Sequence, residues 1–196
     1  MSAPNIIDWL SAGGNLITAV AVATGVFIAW KQLSIWKNEA VTRRRAEVAE
    51  GLLSAAYNVD DILRSLRSPF DSIPIEEKDN PRYIYEQRYK RFVERSEDFA
   101  ELRRAEVRAF PFFQHTTLKD VIAVFYKVRA DAMIAIDMLS SRTDLAGEDQ
   151  DTREMYAQMR HDMYGSYSAR DVLGQKQIAA MKALEEMLLP AIRLER

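Results

Sequence analysis

The sequence predicts an all-α protein. Only seven Gly and six Pro occur in 196 residues, which is few for a fold made of many short strands joined by tight turns. Leu, Ala, Glu, Arg and Met, which favour helix, are plentiful. Apolar residues recur at spacings of three and four along several segments, as they do on the buried face of a helix. This spacing favours an antiparallel up-down bundle of the four-helix type. A single N-terminal transmembrane helix is predicted to precede the bundle.

The transmembrane helix is predicted from a long uncharged segment near the N-terminus. No side chain from Trp9 to Trp30 is charged, and as a helix this segment would be roughly 33 Å long, enough to cross a hydrocarbon core of about 30 Å. The chain's three tryptophans, Trp9, Trp30 and Trp36, flank the segment as interfacial anchors do. We therefore expect residues 1–30 to be a membrane anchor. The alternative is a core helix of a soluble bundle, apolar on every side.

Charge is distributed unevenly along the chain. The basic residues that follow the apolar segment are Lys31, Lys37, Arg43, Arg44 and Arg45. With two acidic residues they give residues 1–45 a net charge of +3, which leaves −5 for the remainder. The positive-inside rule then places the N-terminus outside and the C-terminal domain in the cytoplasm, at the inner membrane. We expect residues 31–47 to form a basic juxtamembrane helical stalk, and an acidic body gives no reason to expect a nucleic-acid partner.

Small residues recur on one side of the predicted span. They include Gly14, Ala21, Gly25 and Ala29, of which the last three are spaced four residues apart. Such spacing lets two helices approach closely in lipid. The sequence therefore predicts a lipid bilayer as one partner, and either a second copy of the chain or another protein as the other.

Residues 48–196 are predicted to form the cytoplasmic bundle. A seam of apolar residues spaced by four and three starts the first helix. Prolines interrupt the helical pattern after it and again after the second helix, which is expected over residues 81–110. The predicted helices begin near Val48, Pro81, Thr117, Asp151 and Ser168.

The residues that carry common enzyme chemistry are scarce. The chain has no cysteine and two histidines, so a thiolate metal site and a cysteine nucleophile are excluded. Its glycines are isolated and form no phosphate-binding loop. We therefore expect no cofactor, no metal site and no small-molecule substrate.

One pair of residues resembles the active site of a known enzyme family. Arg108 and His115 are separated by six residues, which is similar to the Arg-x(4–6)-His spacing of HEPN ribonucleases, themselves helical bundles. That resemblance implies that the pair would bind the scissile phosphate and assist proton transfer. Pro111 lies between the two residues, and Ala109 replaces the polar residue that usually follows the arginine. The competing interpretation is a loop histidine beside an ordinary surface arginine.

A second resemblance covers most of the chain in outline. Its motifs are FIAWKQL at 27–33, LLSAAYNVDDILRSLRSPF at 52–70 and MLLPAI at 187–192. The chain resembles a group of bacterial proteins with one N-terminal transmembrane span and a cytoplasmic helical domain. This resemblance implies no substrate, cofactor or catalytic residue.

These observations predict a membrane-anchored helical module that acts as an interaction partner or scaffold and has no catalytic site. The alternative is a HEPN-like ribonuclease, tethered to the membrane and used as a toxin or in defence.

Overall fold

The computed structural model describes residues 6–113, 116–141 and 149–193. Within these ranges, side chains are described for residue 18 and from residue 20 onward, except at 116. The helices are α1 (Ile6–Leu66), α2 (Tyr83–Glu94), α3 (Ser96–Ala109), α4 (Thr116–Ser141), α5 (Gln150–Met163) and α6 (Val172–Ile192), with a 3-10 turn at Ile75–Glu77. The described ranges contain no strand, so the all-α prediction is confirmed.

The chain divides into two compact units, Met1–Arg44 and Arg45–Arg196. The described part of the first unit is helical from Ile6 onward. The second unit holds the hydrophobic core, to which the last part of α1 and all the other α-helices contribute.

The expected transmembrane span is wrong for the described part of the chain, where no helix is both long and apolar enough to cross a bilayer. The uncharged stretch with described side chains, residues 20–30, would be roughly 16 Å long, against a hydrocarbon core of about 30 Å. The earlier side chains of the predicted span, including Trp9 and Gly14, lie outside the described residues. The resemblance to proteins with an N-terminal span is corrected on the same finding.

The apolar seam predicted from Val48 does face the core of the second unit. Of its members, Leu52 and Val59 are completely buried, and Val48, Ile62 and Leu66 are nearly so. Phenylalanines and leucines from the other helices complete the core around them. Its completely buried members include Leu63, Phe92, Leu102, Phe125, Ile122 and Leu184.

Hydrogen bonds between helices show that α1 and α6 run antiparallel. Tyr57 Oη donates to Glu185 Oε1 over 2.5 Å, and Gln177 Nε2 donates to Asp60 Oδ1 over 2.7 Å. The later residue of α1 is bonded to the earlier residue of α6, so the two helices run in opposite directions.

The helix predicted over residues 81–110 is broken into α2 and α3 at Arg95, whose φ and ψ are −90° and 15°. The break leaves the Phe92 carbonyl available to Arg129 of α4, whose Nη2 donates to it over 3.4 Å. The same Nη2 donates to Ser96 Oγ over 3.1 Å. An arginine from a distant part of the chain therefore bonds both sides of the interruption, which local spacing does not reveal.

A buried arginine holds the segment that follows α1. Arg88 is 1% exposed, and its Nη1 donates to the Leu66 carbonyl over 2.9 Å. Its Nε donates to Asp71 Oδ2 over 2.8 Å, and Nη2 donates to the Ser68 carbonyl. The guanidinium thus satisfies an end carbonyl of α1 and fixes the start of the next segment.

Replacing this arginine is expected to destabilise the protein strongly. Arg88→Met leaves two buried carbonyls without their donor and Asp71 with only the more distant Arg91, so the free energy of unfolding should fall by about 3–5 kcal/mol. The matched control is Arg91→Met. Arg91 lies 3.5 Å from the same carboxylate but its side chain is 47% exposed, and its loss should cost less than about 1 kcal/mol. Urea unfolding of both variants measures the difference, and equal losses would contradict the assignment.

Candidate interaction surface and buried arginine cluster

The first unit exposes a large apolar surface along α1. Nine large apolar side chains within residues 20–36 are each at least 48% exposed. They are Val20, Val22, Val26, Phe27, Ile28, Trp30, Leu33, Ile35 and Trp36. Monomeric soluble proteins rarely expose a contiguous apolar area of this kind. We call residues 20–36 the apolar segment.

The apolar segment has no polar side. At about 100° per residue, its large side chains are distributed around the whole helix. A surface helix of a monomer has one apolar stripe, whereas a helix that is apolar all round is normally enclosed. The predicted anchors Trp30 and Trp36, each 67% exposed, belong to this segment.

The predicted small-residue side of the helix is open where it is described. Ala21, Gly25 and Ala29 are exposed, and a Cβ atom added at Gly25 would meet no atom within 4 Å. Gly14 lies outside the residues whose side chains are described.

The residues of the predicted basic cluster lie in different surroundings. Lys31, Lys37 and Arg44 are exposed, but Arg43 pairs with Glu39 at 2.7 Å, one turn earlier in the helix. Arg45 belongs to the second unit, where its guanidinium lies 5.0 Å from the centre of the Phe113 ring. Of these contacts, only the one with the Glu39 carboxylate brings a negative charge next to a basic residue of the cluster.

The structure describes only one member of the predicted ribonuclease pair, Arg108. Arg108 is exposed, and its Nε donates to the Arg104 carbonyl one turn earlier, over 3.3 Å. His115 lies outside the described residues. The catalytic interpretation therefore stays a prediction. Within the described ranges, no group of three or more acidic or histidine side chains is placed to hold a metal ion.

A buried ion pair, which the sequence did not predict, is the main polar feature of the second unit. Arg67 is completely buried and Asp171 is 3% exposed, and Arg67 Nη2 donates to Asp171 Oδ1 over 2.8 Å. Asp171 is also the N-cap of α6, because its carboxylate accepts from the Gly174 N–H over 2.9 Å. Ser168, the predicted cap, lies three residues earlier.

The same ion pair fixes the loop between α5 and α6, residues 164–171. Asp171 Oδ2 accepts from the Tyr167 N–H over 2.9 Å, and the Arg67 carbonyl accepts from the Gly165 N–H over 2.7 Å. Tyr167 has a φ of 52°, which is uncommon for a residue with a side chain. The guanidiniums of Arg64 and Arg67 lie 4.5 and 5.6 Å from the centre of its ring. Arginines at the end of α1 therefore clamp this loop.

The direction of the pKa shift of Asp171 agrees with its pairing to Arg67. Burial by itself raises the pKa of Asp171, but the hydrogen bonds from Arg67, Gly174 and Tyr167 outweigh burial and hold the pKa below its ordinary value. Burial raises the pKa of the Tyr167 hydroxyl, although the nearby arginines oppose the change. The aspartate therefore stays ionised in the folded protein at neutral pH.

Comparisons with known protein families, with curated proteins and with solved structures found no match for this chain.

Gly174 tests how tightly this cap is packed. A Cβ atom there would lie 2.8 Å from Asp171 Cγ and 2.9 Å from Tyr167 Cδ1, and the Arg67 bond prevents the carboxylate from moving away. Gly174→Ala should therefore lower the free energy of unfolding by about 1–3 kcal/mol. The control is Gly51→Ala in α1, where nothing lies within 4 Å and helix propensity predicts a gain of up to about 1 kcal/mol. Thermal unfolding of the pair should therefore move in opposite directions, and a stabilised Gly174→Ala would contradict the packing.

The ion pair also predicts a dependence of stability on pH. Because the pKa of Asp171 is lower in the folded than in the unfolded state, its contribution is complete above the unfolded value of about 4. That contribution is lost as the pH falls through the folded pKa. Asp171→Asn should therefore be less stable than the wild type at pH 7, and the gap should narrow toward pH 3. Urea unfolding between pH 3 and 7 measures the gap, and a constant gap would contradict the lowered pKa.

Proposed function

We propose that the protein acts by association rather than by catalysis, as a helical interaction module whose copies bind one another through the apolar segment. The observation that supports this most directly is the exposure of nine large apolar side chains over only 17 residues. Covering such side chains is favourable by roughly 25 cal/mol for each Å² of apolar area removed from water.

A second copy of the chain is the partner that best suits the small-residue side of the helix. Residues without large side chains let two backbones approach closely, which increases dispersion contacts along both helices. Ala21, Gly25 and Ala29 leave such an approach open. The same spacing is present in every copy, so a symmetric pair needs no other protein.

The second unit would supply the folded domain that the module presents. We propose that it is an up-down bundle of the four-helix type, whose four columns are α1, α2 together with α3, α4 and α6. The opposite directions of α1 and α6 support this arrangement. Contacts between α3 and α4 support it too, since Phe99 and Arg103 both meet Tyr126 while Ser96 meets Arg129.

A lipid bilayer was the other partner predicted from the sequence. That partner stays a prediction. So do the location at the inner membrane and the orientation with the N-terminus outside.

Self-association is expected to fail when the small-residue side is filled. Gly25→Leu adds a bulky side chain where two backbones would meet, so the dissociation constant should rise at least tenfold, or about 1.4 kcal/mol. Sedimentation of the purified full-length chain over a range of concentrations measures this. Tryptophan fluorescence gives a second measurement, because all three tryptophans lie within residues 9–36. Acrylamide should quench Trp30 and Trp36 less in the oligomer than after dilution.

Gly51→Leu is the matched control, since Gly51 lies on the same helix, also has open space around it and is outside the apolar segment. It should sediment like the wild type. A wild-type chain that remains monomeric at all concentrations, or equal effects of the two substitutions, would refute self-association. Monomers that bind vesicles would instead support the lipid partner.

A further inference from the structure

A cavity of about 380 Å³ in the second unit has a basic lining. The end of α5, the 164–171 loop and Pro69 form its walls. The side chains that give it polar character are Arg160, His161, Ser166, Ser168 and Arg170. No carboxylate lines it, although acidic residues outnumber basic ones in the chain as a whole.

The two arginines of the lining are available to a ligand. In the described part of the chain, neither the Arg160 nor the Arg170 side chain makes a hydrogen bond or an ion pair, and both are exposed. By contrast, Arg64, Arg67 and Arg88 of the neighbouring clamp are all engaged with carboxylates. The loop aspartate that could neutralise the cavity, Asp171, is already bound to Arg67.

The walls of the cavity are fixed before any ligand arrives. Arg67 Nε donates to the Asp162 carbonyl over 3.0 Å, and its Nη2 donates to the His161 carbonyl over 3.3 Å. The loop wall is tied by the bond from the Gly165 N–H to the Arg67 carbonyl. A rigid wall reduces the entropy lost when a ligand binds.

The hydroxyl groups and one buried guanidinium complete an anion-binding environment. Ser166 Oγ and Ser168 Oγ lie 2.8 Å apart, and each hydroxyl can rotate to donate to an oxyanion. Gly165 lines the cavity, and a Cβ atom there would lie only 3.2 Å from Arg67 Cζ. Arg67 Nη1 is buried and has no hydrogen-bond partner among the described residues. A positive charge with an unused donor therefore lies just behind the cavity wall.

From these observations we infer that the cavity binds the phosphate group of a small phosphomonoester, with Arg160 and Arg170 as its charged ligands. Arginine recognises phosphate through two parallel N–H donors, and the serine hydroxyls supply further donors. The volume lies within the range of small-molecule sites, about 300–1,000 Å³, so a nucleotide-sized compound fits better than a bare ion. The Tyr164 ring and Pro69 provide apolar surface for the remainder of such a ligand.

Isothermal titration calorimetry on the full-length chain tests this site, with inorganic phosphate and adenosine 5′-monophosphate as probes. We expect at least one probe to bind with a 1:1 stoichiometry. Arg160→Gln and Arg170→Gln should each weaken that binding about tenfold, which is what the loss of one charged hydrogen bond predicts. Their melting temperatures should stay close to that of the wild type, because neither side chain makes a hydrogen bond or an ion pair within the described protein.

Arg153→Gln is the matched control, since Arg153 is an exposed arginine of the same helix, α5, that does not line the cavity. It should leave the affinity unchanged. The inference is overturned if the wild type binds neither probe, or if Arg153→Gln weakens binding as much as the cavity substitutions do. Competition by equimolar sulfate distinguishes recognition of phosphate from general attraction of anions, and equal affinity for both ions would also overturn it.

Discussion

The buried ion pair between Arg67 and Asp171 is the interaction on which the second unit depends most. Two charges withdrawn from water are tolerated only when both are paired and hydrogen-bonded. Here the aspartate accepts from a guanidinium and from two backbone N–H groups. One carboxylate therefore caps α6, closes the preceding loop and neutralises a cation at the end of α1. Because one carboxylate makes all three contacts, the positions of α1, α6 and the loop are coupled. None of them can shift without leaving a buried charge unpaired.

Arginines gather at the end of α1 for a related reason. The last carbonyls of a helix lack partners and carry partial negative charge. A guanidinium there is stabilised both by hydrogen bonds to these carbonyls and by attraction to the helix dipole. Arg88 comes from α2 to bond the Leu66 carbonyl and stacks on Tyr164, with 4.4 Å from its Cζ to the ring centre. Arg64 stacks on Tyr167. Planar guanidinium groups therefore contact the tyrosines at both ends of residues 164–167. Lysine could not replace these arginines, because its ammonium group lacks the planar fork of donors.

The two units pose different physical problems. The second unit buries an apolar core of its own, drawn from the last part of α1 and from the other five helices. The first unit cannot do so, since a single helix has no interior and its apolar segment surrounds the axis on every side. Association with a further surface is the way such a helix lowers its free energy. The cavity beside the arginine clamp is a separate feature, because its recognition depends on charge and fixed geometry rather than on apolar area.

Periodicity and composition alone determined the all-α class and the buried face of α1 from Val48 onward, because burial on a helix repeats every three or four residues whatever the partner is. They also located the interruptions after α1 and between α5 and α6, since proline and capping residues act locally. Tertiary structure decided three other features, because each involves a charge from a distant segment. They are the break at Arg95, the cap at Asp171 and the pairing of Arg67 with a residue 104 positions away. The uncharged N-terminal stretch pointed to a membrane span, but the described helix did not support it. The basic cavity was equally hidden, because Arg160 and Arg170 look like ordinary surface charges until the loop between them is folded.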